Sequence, residues 1–150
     1  MNPDSLAARL IGTWRLQSFV SRRGDVERYP FGADAMGLLV YTATGHMSGQ
    51  LMRGGRPSIG AGTLGGGSDS DVRAAATGYV AYAGTFDVDE ADSIVMHHVA
   101  LSLLPNLVGT VQRRHVVWDG DVLELRTPIE QVGDTPQRAH LRWERCSFRA

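Results

Sequence analysis

The sequence predicts an all-β fold: about eight antiparallel strands closed into a barrel, with one helix covering or plugging an end. Three observations carry this. Short runs rich in aromatic and β-branched residues recur along the 150 residues, each ended by turn residues. Most connections are of hairpin length, the clearest being Asp119-Gly120-Asp121, whose Asp-Gly step suits the positive φ of a tight turn. A single segment carries helical rather than alternating periodicity. Closure is expected because an open sheet of so many short strands would expose two edges. An eight-stranded barrel leaves an interior just wide enough for packed side chains or one small ligand.

In chain order, the first strand is Thr13 to Val20, followed by the turn pair Gly24-Asp25. Gly37 to Tyr41 and His46 to Met52 form the next two, joined by Thr42-Ala43-Thr44-Gly45. Arg53 to Gly67 is crowded with glycine but has neither a lysine nor Gly-x-Gly-x-x-Gly spacing, so it reads as a loop rather than a phosphate cradle. Ser68-Asp69-Ser70-Asp71 offers N-cap side chains and first-turn negative charge. Val72, Ala75, Ala76, Tyr79 and Tyr82 then recur at helical spacing, which predicts a helix from about Asp69 to Tyr82, weakened by Gly78. The remaining strands are Gly84 to Val88, Ile94 to Leu103, Thr110 to Trp118, Val122 to Arg126 and Gln137 to Phe148. Neither repeat nor linker divides the chain, so residues 1–150 read as a single domain with its core at about 10–146.

Composition narrows the chemistry. All 15 basic residues are arginine, which excludes Schiff-base, pyridoxal phosphate and P-loop lysine mechanisms. The lone Cys146 excludes an internal disulfide and a multi-cysteine zinc site. A net charge of −1 gives no global field for nucleic acid or anionic membrane. No apolar run approaches transmembrane length and the N-terminus lacks a signal-peptide pattern, so a cytoplasmic location is expected.

Several stretches together carry a family resemblance. They are Leu10 to Leu16 with its Gly-x-Trp signature, Tyr29-Pro30-Phe31-Gly32 before Gly37 to Tyr41, and Gly45 to Ser48 with Gln50 and Met52-Arg53. Tyr79 to Glu90, His97-His98-Val99 with Ser102, Pro105-Asn106, Gly109 and Gln112-Arg113, and Leu141 to Arg145 complete the set. In this order and spacing they resemble the bacterial lipocalin-like domain family, small proteins often encoded beside biosynthetic and catabolic genes. The resemblance implies a calycin-type barrel with an interior cavity; it implies no single shared activity. It also implies that Trp14 closes one barrel end, with Arg142 or Arg145 from the last strand across its face.

Adjacent His97 and His98 must point to opposite faces of their strand, so they cannot jointly hold one metal ion. One is expected to face the cavity, and parity leaves open which, because Val95, Val99 and Leu101 accompany His97 while Ile94, Met96 and Ala100 accompany His98. Gln112 and Arg114 share one face, Arg113 and His115 the other. An inward arginine needs a carboxylate partner, Glu144 or a carboxylated ligand. His46, His115 and His140 show no ligand-set spacing, and neither metal nor organic cofactor is expected.

Two functions follow as expectations. The first is a pocket protein enclosing a small, partly apolar organic molecule, with Tyr41, Gln50, Tyr82, Gln112, His98 and Arg113 fixing its orientation. The second is a cofactor-independent cyclase, isomerase or hydrolase in the same cavity, where His97 or His98 moves a proton and Arg113 or a tyrosine stabilises negative charge. A barrel filled by its own side chains, serving a structural or regulatory partner, is a third. A homodimer is compatible with each.

Overall fold

A computed structural model describes residues 2–60, 62–63 and 65–147. Among these residues ten antiparallel strands follow one another: β1 (Gly12–Arg23), β2 (Val26–Arg28), β3 (Met36–Tyr41), β4 (His46–Met52), β5 (Tyr79–Asp89), β6 (Ile94–Ser102), β7 (Val111–Asp119), β8 (Val122–Arg126), β9 (Glu130–Val132) and β10 (Thr135–Arg145). Eight of them, β1 and β3 through β8 with β10, form the wall. β1 pairs with β10 from Trp14↔Arg145 to Arg23↔Gln137, which closes the barrel and removes its edges. β2 and β9 are short ribbons that prolong β1 and β10 where β1 ends and β10 begins. The expected last strand ran to Phe148, which lies outside the described residues.

Two α-helices among the described residues flank this wall. α1 (Leu6–Leu10) has no sequence signature of its own length, because five residues are too few to show a period. Ser5 caps it, and the Glu90 carboxylate accepts from the Leu6 amide at 2.9 Å. α2 (Asp69–Thr77) begins with a capping box in which Ser68 and Asp71 satisfy each other's backbone amides. It ends at Thr77, five residues before the expected Tyr82. Gly78 caps it, and Tyr79 and Tyr82 pair with Met52 and Gly49 in β4 instead. Their helical spacing was incidental; β-prone aromatics with an available partner strand prefer the sheet.

The barrel has one closed end. Trp14 is fully buried there, its indole N–H donates to the Leu10 carbonyl at 2.9 Å, and the Arg145 guanidinium stacks 4.1 Å from its ring. The same arginine donates to the carbonyls of Ile11 and Arg9, and Arg9 covers Trp118 at 3.9 Å. α1 is thus fastened across the base, with Leu6 and Leu10 joining Trp14, Tyr41, Phe86, Leu123 and Trp143 in one core. Two bulges shape the wall. Gln17 is the extra residue between Leu16 and Ser18, and Ala100 is the extra residue opposite Ala83 and Gly84. A Cβ on Gly84 would overlap the His98 carbonyl oxygen, so only glycine lets the strands approach there. Beyond Ala100 the side-chain parity reverses. Leu101 is therefore 70% exposed and does not share the face of His97.

Candidate functional site

The interior of the barrel holds a cavity of about 490 Å³. A barrel filled by its own side chains is thereby excluded. Its walls are mostly apolar: Phe19, Leu39, Leu51, Val80, Leu125 and Leu141 among others. The mouth lies opposite the Trp14 end, rimmed by Pro30-Phe31, by Ala76-Thr77 at the end of α2, and by Leu104 and Leu107 of a 3₁₀ turn. Two arginines from the segment after β4 hold this rim. Arg53 donates to the Pro30 carbonyl at 2.9 Å, and Arg56 to the Ala75 carbonyl at 3.1 Å while stacking on Tyr79.

His97 sits in the cavity wall between two tyrosines. Its Nε2 is 2.7 Å from the Tyr41 hydroxyl and its Nδ1 is 2.8 Å from the Tyr82 hydroxyl. Strand alternation places Val95, His97 and Val99 inward on β6, and all three are buried. Burial, reinforced by the charges of Arg114 and His98, lowers the imidazole pKa to about 3, so the ring is neutral across the physiological range. Burial also raises both phenols, Tyr41 well above its ordinary value, while Arg114 opposes the rise. At neutral pH the triad is an uncharged hydrogen-bonded chain of which Tyr82 and His97 line the cavity.

The other candidate residues divide by face. Gln112 lines the cavity, its amide donating to the Thr110 hydroxyl at 3.0 Å. Tyr41 lies behind His97 in the core rather than on the cavity surface. Gln50 borders the cavity, but its side-chain oxygen accepts from Tyr79 at 2.7 Å, on the face opposite inward Gly49 and Leu51. His98 points to the outer wall, where Nε2 meets the Asp87 carboxylate at 2.9 Å. Arg113 also faces outward, and Arg114 takes its place in the cavity lining. Glu144 is engaged outside by Arg15 and Gln17, so it partners no inward arginine. Arg114 could have been found from the sequence, because it alternates with Gln112 on one face. Arg53 and Arg56 could not, since their roles depend on loop geometry that periodicity does not encode. Trp143 also lines the cavity, on the same face of β10 as Ala139 and Leu141.

His140 belongs to a different cluster, on the outer wall. The Glu124 carboxylate accepts from His140, Arg126 and Arg142 at 2.9, 2.6 and 3.0 Å. Burial alone would raise its pKa, yet these bonds and charges hold it at about 2. Among the described residues no group of three or more His, Cys, Asp or Glu could hold a metal ion. No described helix is long and apolar enough to cross a membrane.

Comparison with known proteins adds to this geometry. The model of a family described as "Lipocalin-like domain" matches residues 11–146. The 4'-hydroxy-3'-methoxypropiophenone carrier protein ppsC of Aspergillus oryzae (strain ATCC 42149 / RIB 40) is 36% identical over 107 residues, spanning 66% of this chain and 96% of that protein.

Proposed function

The chain belongs to the lipocalin-like domain family, and from that premise we propose that it is a carrier for a small, partly apolar organic molecule in biosynthetic or catabolic metabolism. The observation that carries this is the barrel cavity of about 490 Å³, apolar along its walls and polar at the Tyr82–His97 pair. The similarity to a carrier of an aromatic ketone supports the same reading. A ligand body with a ring fits walls of leucine, valine and phenylalanine, and one or two polar groups on it meet Tyr82, His97, Gln112 and Arg114.

Carriage is favoured over acid–base catalysis in this cavity by the state of its histidines. A general base works best with a pKa near the operating pH. His97 is held at about 3 and has both ring nitrogens occupied, so it is a weak base there. His98 points away from the ligand space. The test is fluorescence of N-phenyl-1-naphthylamine, a neutral probe that brightens in apolar cavities. Saturable enhancement with one probe per chain is expected, together with recovery of the probe unchanged. Absence of saturable binding would refute the carrier reading, and conversion of a bound compound would favour an enzyme.

A further inference from the structure

The Tyr41–His97–Tyr82 chain has a direction. Tyr41 is 1% exposed, and among the described residues its hydroxyl has His97 Nε2 as its one partner. A proton on Nε2 would leave the Tyr41 O–H as a buried donor with no acceptor. Nε2 therefore accepts from Tyr41, and the one proton of the neutral ring sits on Nδ1. Nδ1–H then donates to the Tyr82 oxygen. The Tyr82 O–H is left free to donate, and among the described residues nothing accepts from it.

Arg114 adds a second donor. It lines the cavity, donates one bond to the Arg113 carbonyl at 2.7 Å, and meets no carboxylate among the described residues. Its charge reaches both Tyr82 and His97. Among the described residues the lining contains no aspartate or glutamate. Trp143, another lining residue, carries a buried indole N–H without an acceptor among the described residues. The cavity thus offers a surplus of donors and one uncompensated cation inside an apolar wall.

We infer that the ligand is an organic acid whose carboxylate accepts from Tyr82 and Arg114, with its apolar body extending toward Phe31 and Leu104 at the mouth. This rests on the carrier reading above and specifies the ligand class. A carboxylate supplies the two missing functions together, a counter-charge for Arg114 and a lone pair for Tyr82.

Displacement of N-phenyl-1-naphthylamine by 2-naphthoate and by 2-acetylnaphthalene at pH 7 tests it. The two competitors share a bicyclic body and differ in charge. The naphthoate is expected to displace the probe at a concentration at least about tenfold lower. Arg114→Gln should erase that preference, and Arg114→Lys should restore part of it. Tyr82→Phe should weaken both competitors, the naphthoate more because its charged oxygen accepts the stronger bond, with circular dichroism reporting retained fold. Equal displacement by the two competitors in the unaltered protein overturns the inference, as does equal weakening of both by Arg114→Gln. In either case bound probe leaves the carrier reading intact. If no probe or competitor binds, the carrier reading falls and the inference falls with it.

Discussion

At the scale of single residues, His97 ties stability to the geometry of the cavity. Its folded pKa is about 3 and its unfolded value is near 6.5. The unfolded chain therefore binds a proton that the folded chain refuses as pH falls between those values. Stability linked to this group is full above about pH 6.5 and declines by up to about 1.4 kcal/mol per pH unit toward pH 3. Urea unfolding of His97→Phe should show a shallower decline between pH 6 and pH 4 than the unaltered protein. At pH 7 the same substitution should cost about 2–3 kcal/mol, because it strands the hydroxyls of Tyr41 and Tyr82. Glu124 acts in a lower window. Its pKa of about 2 makes its contribution present above the unfolded value near 4.5 and lost as pH drops through 2. Glu124→Gln should destabilise by about 3 kcal/mol at pH 7, since Arg126 and Arg142 would lose the carboxylate they share on the outer wall. Denaturant midpoints at low and high salt would show that loss shrinking as ionic strength rises.

At the scale of elements, the short helix α1 does more than its five residues suggest. It seals the base through Leu10, which is fully buried and whose carbonyl receives the Trp14 indole. Leu10→Ala should cost about 2–5 kcal/mol in chemical unfolding through the cavity it leaves. Probe affinity should change little, because the ligand space opens at the far end. The elements also mark what the sequence does and does not reveal. Strands such as His46–Met52 and Val122–Arg126 were legible because alternation and turn residues are local signals. α1 and the three-residue ribbons β2 and β9 were not, since they are shorter than any detectable period. The end of α2 was overrun because Tyr79 and Tyr82 happen to fall at helical spacing, and only pairing with β4 assigns them to a strand. The site shows the same boundary. Parity makes His97 and His98 diverge and Arg113 and Arg114 diverge, but the inward member of each pair is decided by register, of β6 against β5 and of β7 against β6. The bulge at Ala100, which sends Leu101 outward, has no sequence signal beyond Gly84.

At the scale of the whole molecule, the barrel separates stability from binding by placing them at opposite ends. The base is a dense core of Trp14, Tyr41, Phe86, Leu123 and Trp143 under α1, while the mouth is framed by loops, α2 and the arginines at 53 and 56. A ligand entering the mouth meets a preformed space, so little of its binding free energy is spent ordering the protein. Filling that space by mutation should then remove binding without unfolding the barrel. Ala139 lies in the cavity wall on β10, paired with Ser21 of β1. Ala139→Phe directs a ring into the ligand space and should weaken N-phenyl-1-naphthylamine by at least about tenfold. The far-ultraviolet circular dichroism spectrum should remain that of the unaltered protein. The two proteins should also respond differently to the probe on heating. At a free concentration about 100 times its dissociation constant, the probe stabilises the unaltered fold by about 2.7 kcal/mol and raises its melting temperature. The Ala139→Phe protein should show almost no such rise, and an equal rise in both would place the probe outside the barrel.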